Sequence, residues 1–139
     1  GDYVIRVYLM RAAARRNESS RYTLDVAVTG KALPPTPASR DALVPGTPFH
    51  ASAQIPCTLG GGPARTCDAF VLRRGVGGNA TLQVLVDYGV RRHVLFVNGK
   101  AVSSDAPDAM KTSRNGDLTV IDFEQGDRLS VPDVFIGGG

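Results

Sequence analysis

From Phe49 to the end of the chain, apolar and polar residues alternate with period two in short runs with turn signals between them, most of these at glycine. That pattern leaves little choice of fold, because alternation over four to eight residues builds a half-buried strand and cannot line one face of a helix. Phe49, Ala51, Ala53 and Ile55 alternate with His50, Ser52 and Gln54, and Ala69 to Leu72 form a second run. Gly75 to Gly78 interrupt the chain before Thr81 to Tyr88, which puts Leu82, Val84 and Val86 on one face. Arg92 to Val97 follows, and Asn98-Gly99 is the preferred dipeptide of a type I′ hairpin turn leading into Ala101-Val102-Ser103. Beyond a polar loop, Asn115-Gly116 turns into Leu118 to Phe123, and Gln125-Gly126-Asp127 turns into Arg128 to Val131. The expectation is a small antiparallel β-sandwich or barrel of about seven short strands over residues 49–139. Pro132 either ends the last strand or places it at an edge, since proline cannot donate to a ladder.

Upstream, residues 1–30 read as a hairpin. Tyr3, Ile5, Val7 and Leu9 share one face, Tyr22, Leu24, Val26 and Val28 another, and a basic loop joins them. Ala12 to Ala14 favour at most one helical turn in that loop, which is too short for an independent helix. A two-stranded hairpin is marginal by itself in water, so it needs further strands, the rest of the chain or a second copy. Between it and the β-domain, residues 31–48 hold five prolines in eighteen residues. Proline removes backbone donors and fixes φ, so this stretch is an extended linker. Such a hinge permits a hairpin-swapped homodimer.

Charge is unevenly spread. Residues 1–100 carry 13 Lys and Arg against 6 Asp and Glu, whereas residues 101–139 carry 3 against 7, which together give the net charge of +3. Arg11, Arg15, Arg16 and Arg21 crowd the hairpin loop, and Arg73-Arg74 and Arg91-Arg92 add two basic pairs. A basic surface suits an anionic partner such as an envelope polymer or a lipid headgroup; the plainer alternative is solvated loops and protected strand edges. Nucleic acid is not expected, because no helix-turn-helix, zinc-finger or aromatic RNA-binding pattern accompanies the charge. No apolar run reaches the roughly 18 residues of a spanning helix.

Cys57 and Cys67 are the only cysteines, with nine residues between them in a Gly- and Pro-rich stretch. Neither His50 nor His93 belongs to a metal-ligand spacing, and redox chemistry would prefer C-x-x-C, so no metal or cofactor is expected. A structural disulfide closing a short loop between two strands, or two reduced core cysteines, remains. The disulfide would contribute about 2–3 kcal/mol by restricting the unfolded chain and would point to the periplasm or the cell exterior.

Catalytic patterns are missing from the sequence: it holds no H-E-x-x-H, G-x-S-x-G or phosphate-binding loop. His93, inside a strand, reads as an ordinary strand histidine, with a pH-sensitive surface group as the alternative. His50 could assist Cys57 as a nucleophile only if that cysteine were unpaired. The sequons at Asn17 and Asn79 carry little weight. No enzyme is expected.

The run GDY, the strand IRVYLMR, the loop AARRNE and the closing strand YTLDV resemble the C-terminal end of the periplasmic inhibitors of goose-type lysozyme. The run is similar also to the wider β-sandwich modules related to pre-peptidase C-terminal domains. In the inhibitors a Ser-Gly-x-Tyr motif opens this hairpin and is implicated in blocking the lysozyme cleft; Gly1 and Tyr3 match its second and fourth positions. The resemblance implies that residues 1–30 end an inhibitor-like sandwich and that Gly1, Tyr3, Arg6, Arg11, Arg15 and Arg16 meet a partner. Residues from about Thr47 onward resemble a C-terminal region found in bacterial proteins of no established activity. The expected function is a non-enzymatic, periplasmic or secreted envelope protein that inhibits a lysozyme, or an envelope-binding module without inhibitory activity.

Overall fold

The structure is a computed structural model that describes Thr23, residues 41–87 and residues 89–138. Residues 1–35 and 36–139 form separate units, and the architecture below is that of the second. The predicted hairpin, and the linker as far as Arg40, lie outside the described residues.

The β-domain is one antiparallel sheet of eight strands: β1 (Ala51–Thr58), β2 (Arg65–Arg73), β3 (Ala80–Asp87), β4 (Val90–Val97), β5 (Lys100–Ser104), β6 (Met110–Asn115), β7 (Leu118–Phe123) and β8 (Arg128–Pro132). A short helix, α1 (Asp133–Gly137), follows. The strands lie in the order β5-β4-β3-β2-β1-β8-β7-β6, so the sheet curls into a nearly closed barrel. Strand β1 makes that curl possible. It pairs with β2 from Ala51 to Cys57 but with β8 only at Cys57 and Thr58, so two smaller ladders meet at one corner.

Alternation fixes which face is inside. In β3, Ala80, Leu82, Val84 and Val86 are buried while Thr81, Gln83, Leu85 and Asp87 are not. The same phase places Cys67, Ala69 and Val71 of β2, Val94 and Phe96 of β4, Ile121 and Phe123 of β7, and Leu129 and Val131 of β8 in the core. In β1 the predicted face is right, but Ile55 and Cys57 alone are fully buried; Ala53 stays exposed where β1 has parted from β8. Phe135 and Ile136 of α1 close one end of the core.

Two expectations need correcting, and the alternative left open at Pro132 is decided. There are eight strands, because the supposed polar loop contains β6, an edge strand whose last five residues are exposed on both faces. A strand that buries nothing shows no alternation, and β6 exists through its ladder with β7. The second turn is displaced by one residue: Asn115 pairs with Leu118, so Gly116 (φ 58) and Asp117 occupy the corner. Finally, β8 lies between β1 and β7, so Pro132 ends the strand and does not mark an edge. Asn98-Gly99 does form the expected two-residue turn, both residues having positive φ (51° and 73°) between the paired Val97 and Lys100.

Candidate functional site

Cys57 and Cys67 form a disulfide, with Cα atoms 5.9 Å apart and both residues buried. Their strands are registered so that Ile55 faces Cys67 and Cys57 faces Arg65, which makes the bond a diagonal staple on the inner face of the β1–β2 hairpin. Pairing with Cys67 takes the Cys57 thiol out of any nucleophilic role with His50. That histidine is engaged elsewhere: its Nδ1 accepts a hydrogen bond from the Arg73 backbone N–H at 2.9 Å.

The two basic pairs split between the faces of the sheet. Arg73 and Arg92 follow the inward phase of β2 and β4, and each plugs one end of the barrel. At the end where β3 runs into β4, the Arg92 guanidinium donates to Asp127 Oδ2 at 2.6 Å, lies 3.7 Å from Asp108 Oδ1 and sits 4.7 Å above the Phe123 ring. The Asp108 side chain is 5 % exposed, so the countercharge sits in a largely dry rim. Asp127 also accepts the Gly60 N–H at 2.8 Å, and Gly61 donates to the Gly126 carbonyl at 2.8 Å, which seats the β1–β2 turn on the β7–β8 turn. At the opposite end Arg73 pairs with Asp41 and donates to the Phe135 carbonyl at 2.9 Å, which fastens α1 and the segment before β1. These two arginines are therefore internal struts, and the basic-surface reading is corrected at both. The signal was present in the sequence: Arg92 is in phase with Val94 and Phe96.

Two further pairs join neighbouring elements at the surface. Arg114 of β6 grips Asp133 at 2.5 Å, and this hydrogen bond, more than any other influence, holds the Asp133 carboxyl below its ordinary range and raises the Arg114 guanidinium. Arg128 pairs with Asp122 at 2.6 Å in the β7–β8 hairpin, whose hydrogen bond raises the Arg128 guanidinium.

Among the described residues, the outer face of β1–β5 carries the one cluster that resembles catalytic equipment. His93 Nδ1 lies 2.6 Å from Asp105 Oδ2, and the His93 backbone N–H donates to Asp105 Oδ1 at 2.9 Å. The other ring nitrogen, Nε2, is 3.1 Å from Gln83 Oε1, directly across the β3–β4 ladder. An aspartate that orients a histidine is half of a general-base apparatus, and the working half is an Nε2 within reach of a hydroxyl or thiol. Here Gln83 occupies that position. The arrangement latches the β5–β6 connection to β4 and β3. His93 is thus a strand histidine with a positioning role; Asp105 escaped sequence reading because a lone acid in a polar loop looks like any other surface charge. Phe49 and Phe70 stack on the same face with ring centroids 5.2 Å apart.

Among the described residues no cluster of three or more His, Cys, Asp or Glu could hold a metal ion. The expected partner-binding residues Gly1, Tyr3, Arg6, Arg11, Arg15 and Arg16 lie outside the described residues. Comparison with known proteins adds nothing here: no family model, curated protein or solved structure matches the chain.

Proposed function

We propose that this chain belongs to a non-enzymatic protein of the bacterial envelope, working in the periplasm or outside the cell, with residues 1–30 as its contact for a goose-type lysozyme. The observation that carries the compartment is the buried Cys57–Cys67 bond, since structural disulfides persist where the surroundings are oxidising. The lysozyme role is supported by the sequence resemblance around Gly1 and Tyr3 and by charge. Arg73, Arg92, Arg114 and Arg128 of the β-domain are bound in ion pairs with its own acids. The sequence adds positive charge suited to an acidic enzyme cleft at Arg6, Arg11, Arg15 and Arg16.

In this reading the β-domain is a stapled support. The test is lysis of a peptidoglycan suspension by goose-type, chicken-type and invertebrate-type lysozymes in the presence of the protein and of its Tyr3→Ala and Arg15→Ala variants. Inhibition of the goose-type enzyme that falls in both variants is the expected result. Full lysis of all three in its presence would leave an envelope-binding module without inhibitory activity.

A further inference from the structure

The dipeptide Asn-Gly occurs twice, at Asn98-Gly99 and Asn115-Gly116, and each sits at a two-residue hairpin turn. Asparagine before glycine is chemically labile, because glycine has no side chain to keep its backbone nitrogen away from the asparagine amide. The Gly nitrogen gives up its proton and attacks the asparagine Cγ; the new C–N bond closes a five-membered succinimide while the Cγ–Nδ2 bond breaks and ammonia leaves. Water then opens the ring at either carbonyl, and the products are aspartate and isoaspartate. Two conditions gate the attack. The Gly N–H must be free of its hydrogen bond, and the backbone must rotate about the asparagine Cα–C bond to bring Cγ over that nitrogen.

At Asn98 both conditions are obstructed. The Gly99 N–H donates to the Gly78 carbonyl at 3.0 Å, and the Asn98 N–H donates to Asn79 Oδ1 at 3.0 Å. The Asn79 side chain is itself tethered, donating to the Val76 carbonyl at 3.2 Å. The β2–β3 loop is seated so closely on this turn that a Cβ on Gly78 would fall 2.6 Å from the Gly99 nitrogen. Attack here requires that the loop first lift off.

At Asn115 neither condition is obstructed. It is the exposed last residue of the edge strand β6, and its ladder contact is the terminal pair with Leu118. Among the described residues neither its side-chain amide nor the Gly116 N–H has a hydrogen-bond partner, and a Cβ on Gly116 would meet nothing within 4 Å. Rotation at this turn only frays the end of an edge strand.

We propose that Asn115 is a site of spontaneous deamidation in the folded protein, and that the β2–β3 loop preserves Asn98 from the same reaction. Each event places a carboxylate next to Arg114, which holds Asp133 at 2.5 Å, and lowers the net charge of +3 by one. Isoaspartate also inserts a methylene into the main chain, at the residue whose pairing with Leu118 closes the β6–β7 turn. The modification therefore ages the β6–β7 hairpin and spares the β4–β5 hairpin. The proposal is independent of the lysozyme reading.

The test is incubation of the full chain at physiological temperature in mildly alkaline buffer, folded and in urea, with each asparagine peptide followed by mass spectrometry and by isoaspartate-specific enzymatic methylation. In the folded protein Asn115 is expected to react at least about tenfold faster than Asn98, since opening the Asn98 turn breaks two hydrogen bonds that the Asn115 turn lacks. In urea the two rates should converge. Asn79→Ala removes the acceptor of the Asn98 N–H and should raise the folded-state rate at Asn98 about fivefold, with the rate at Asn115 unchanged. Asn115→Gln should abolish isoaspartate in its peptide. Equal rates at the two asparagines in the folded protein, or an Asn115 that reacts in urea and survives when folded, would overturn the proposal.

Discussion

Replacing Arg92 by Met tests whether the barrel rim is held by charge or merely decorated with it. Methionine keeps an apolar stem and removes the guanidinium that faces Asp127 and Asp108 and lies over the Phe123 ring. Losing one partner of a buried ion pair costs about 3–5 kcal/mol, chiefly by leaving the other charge without compensation. The side chains of Arg92 and Asp127 are each 15 % exposed, and Asp127 keeps its bond from the Gly60 N–H, so the lower part of that range applies. Loss of the cation–π contact adds about 0.5–1 kcal/mol. The expected destabilisation is about 3.5–4 kcal/mol, which at a denaturant slope of about 1.3 kcal/mol/M lowers the urea midpoint by roughly 3 M. Combining Arg92→Met with Asp127→Asn should then cost less than the sum of the single changes by about 1 kcal/mol or more, because the partners touch. Amide exchange at Gly60 and Gly61 should accelerate in the single variant, since their bonds hang on the same rim. A loss under about 0.5 kcal/mol, or additive single effects, would refute the view that Arg92 is a strut.

Glycine positions give a controlled pair. An alanine at Gly126 (φ 89) would place its Cβ 2.7 Å from the Gly61 nitrogen, while one at Gly116 (φ 58) meets nothing within 4 Å; thermal melts should show a loss of about 10 °C or more for the first and about 5 °C for the second. Reducing the Cys57–Cys67 bond releases a loop with a sequence separation of 10 and should cost about 3 kcal/mol, seen as a fall of about 2 M in the urea midpoint; mass spectrometry after alkylation should find no modified thiol without reductant and two with it. The lowered Asp133 carboxyl contributes stability that is present above its unfolded value of about 3.9 and is lost as pH falls through the lower folded value. Asp133→Asn and Arg114→Gln should therefore lower the neutral region of a stability–pH curve slightly and converge with the parent well below about pH 4, so that the acid limb is flatter in both variants.

What could be read from the sequence was whatever the core dictates. Leu82, Val84 and Val86 alternate because every second residue of β3 meets the interior, and Asn98-Gly99 is legible because a two-residue turn demands positive φ at both corners. Strand β6 was illegible for the converse reason: its only partner is β7, and a partner's register leaves no trace in Lys111 to Asn115. Long-range polar pairing is hidden in the same way. Arg92 and Asp127 are thirty-five residues apart and meet through the curl of the sheet, whereas His93 and Asp105, twelve apart, face each other across the β4–β5 hairpin one step beyond the Val94–Ser104 pair. Yet Arg92 sat in phase with Val94 and Phe96, and a charge on the buried face of a strand requires a countercharge across the core. A sequence that places Arg73 and Arg92 on inner faces already predicts acids at both ends of the barrel, and Asp41, Asp108 and Asp127 are those acids.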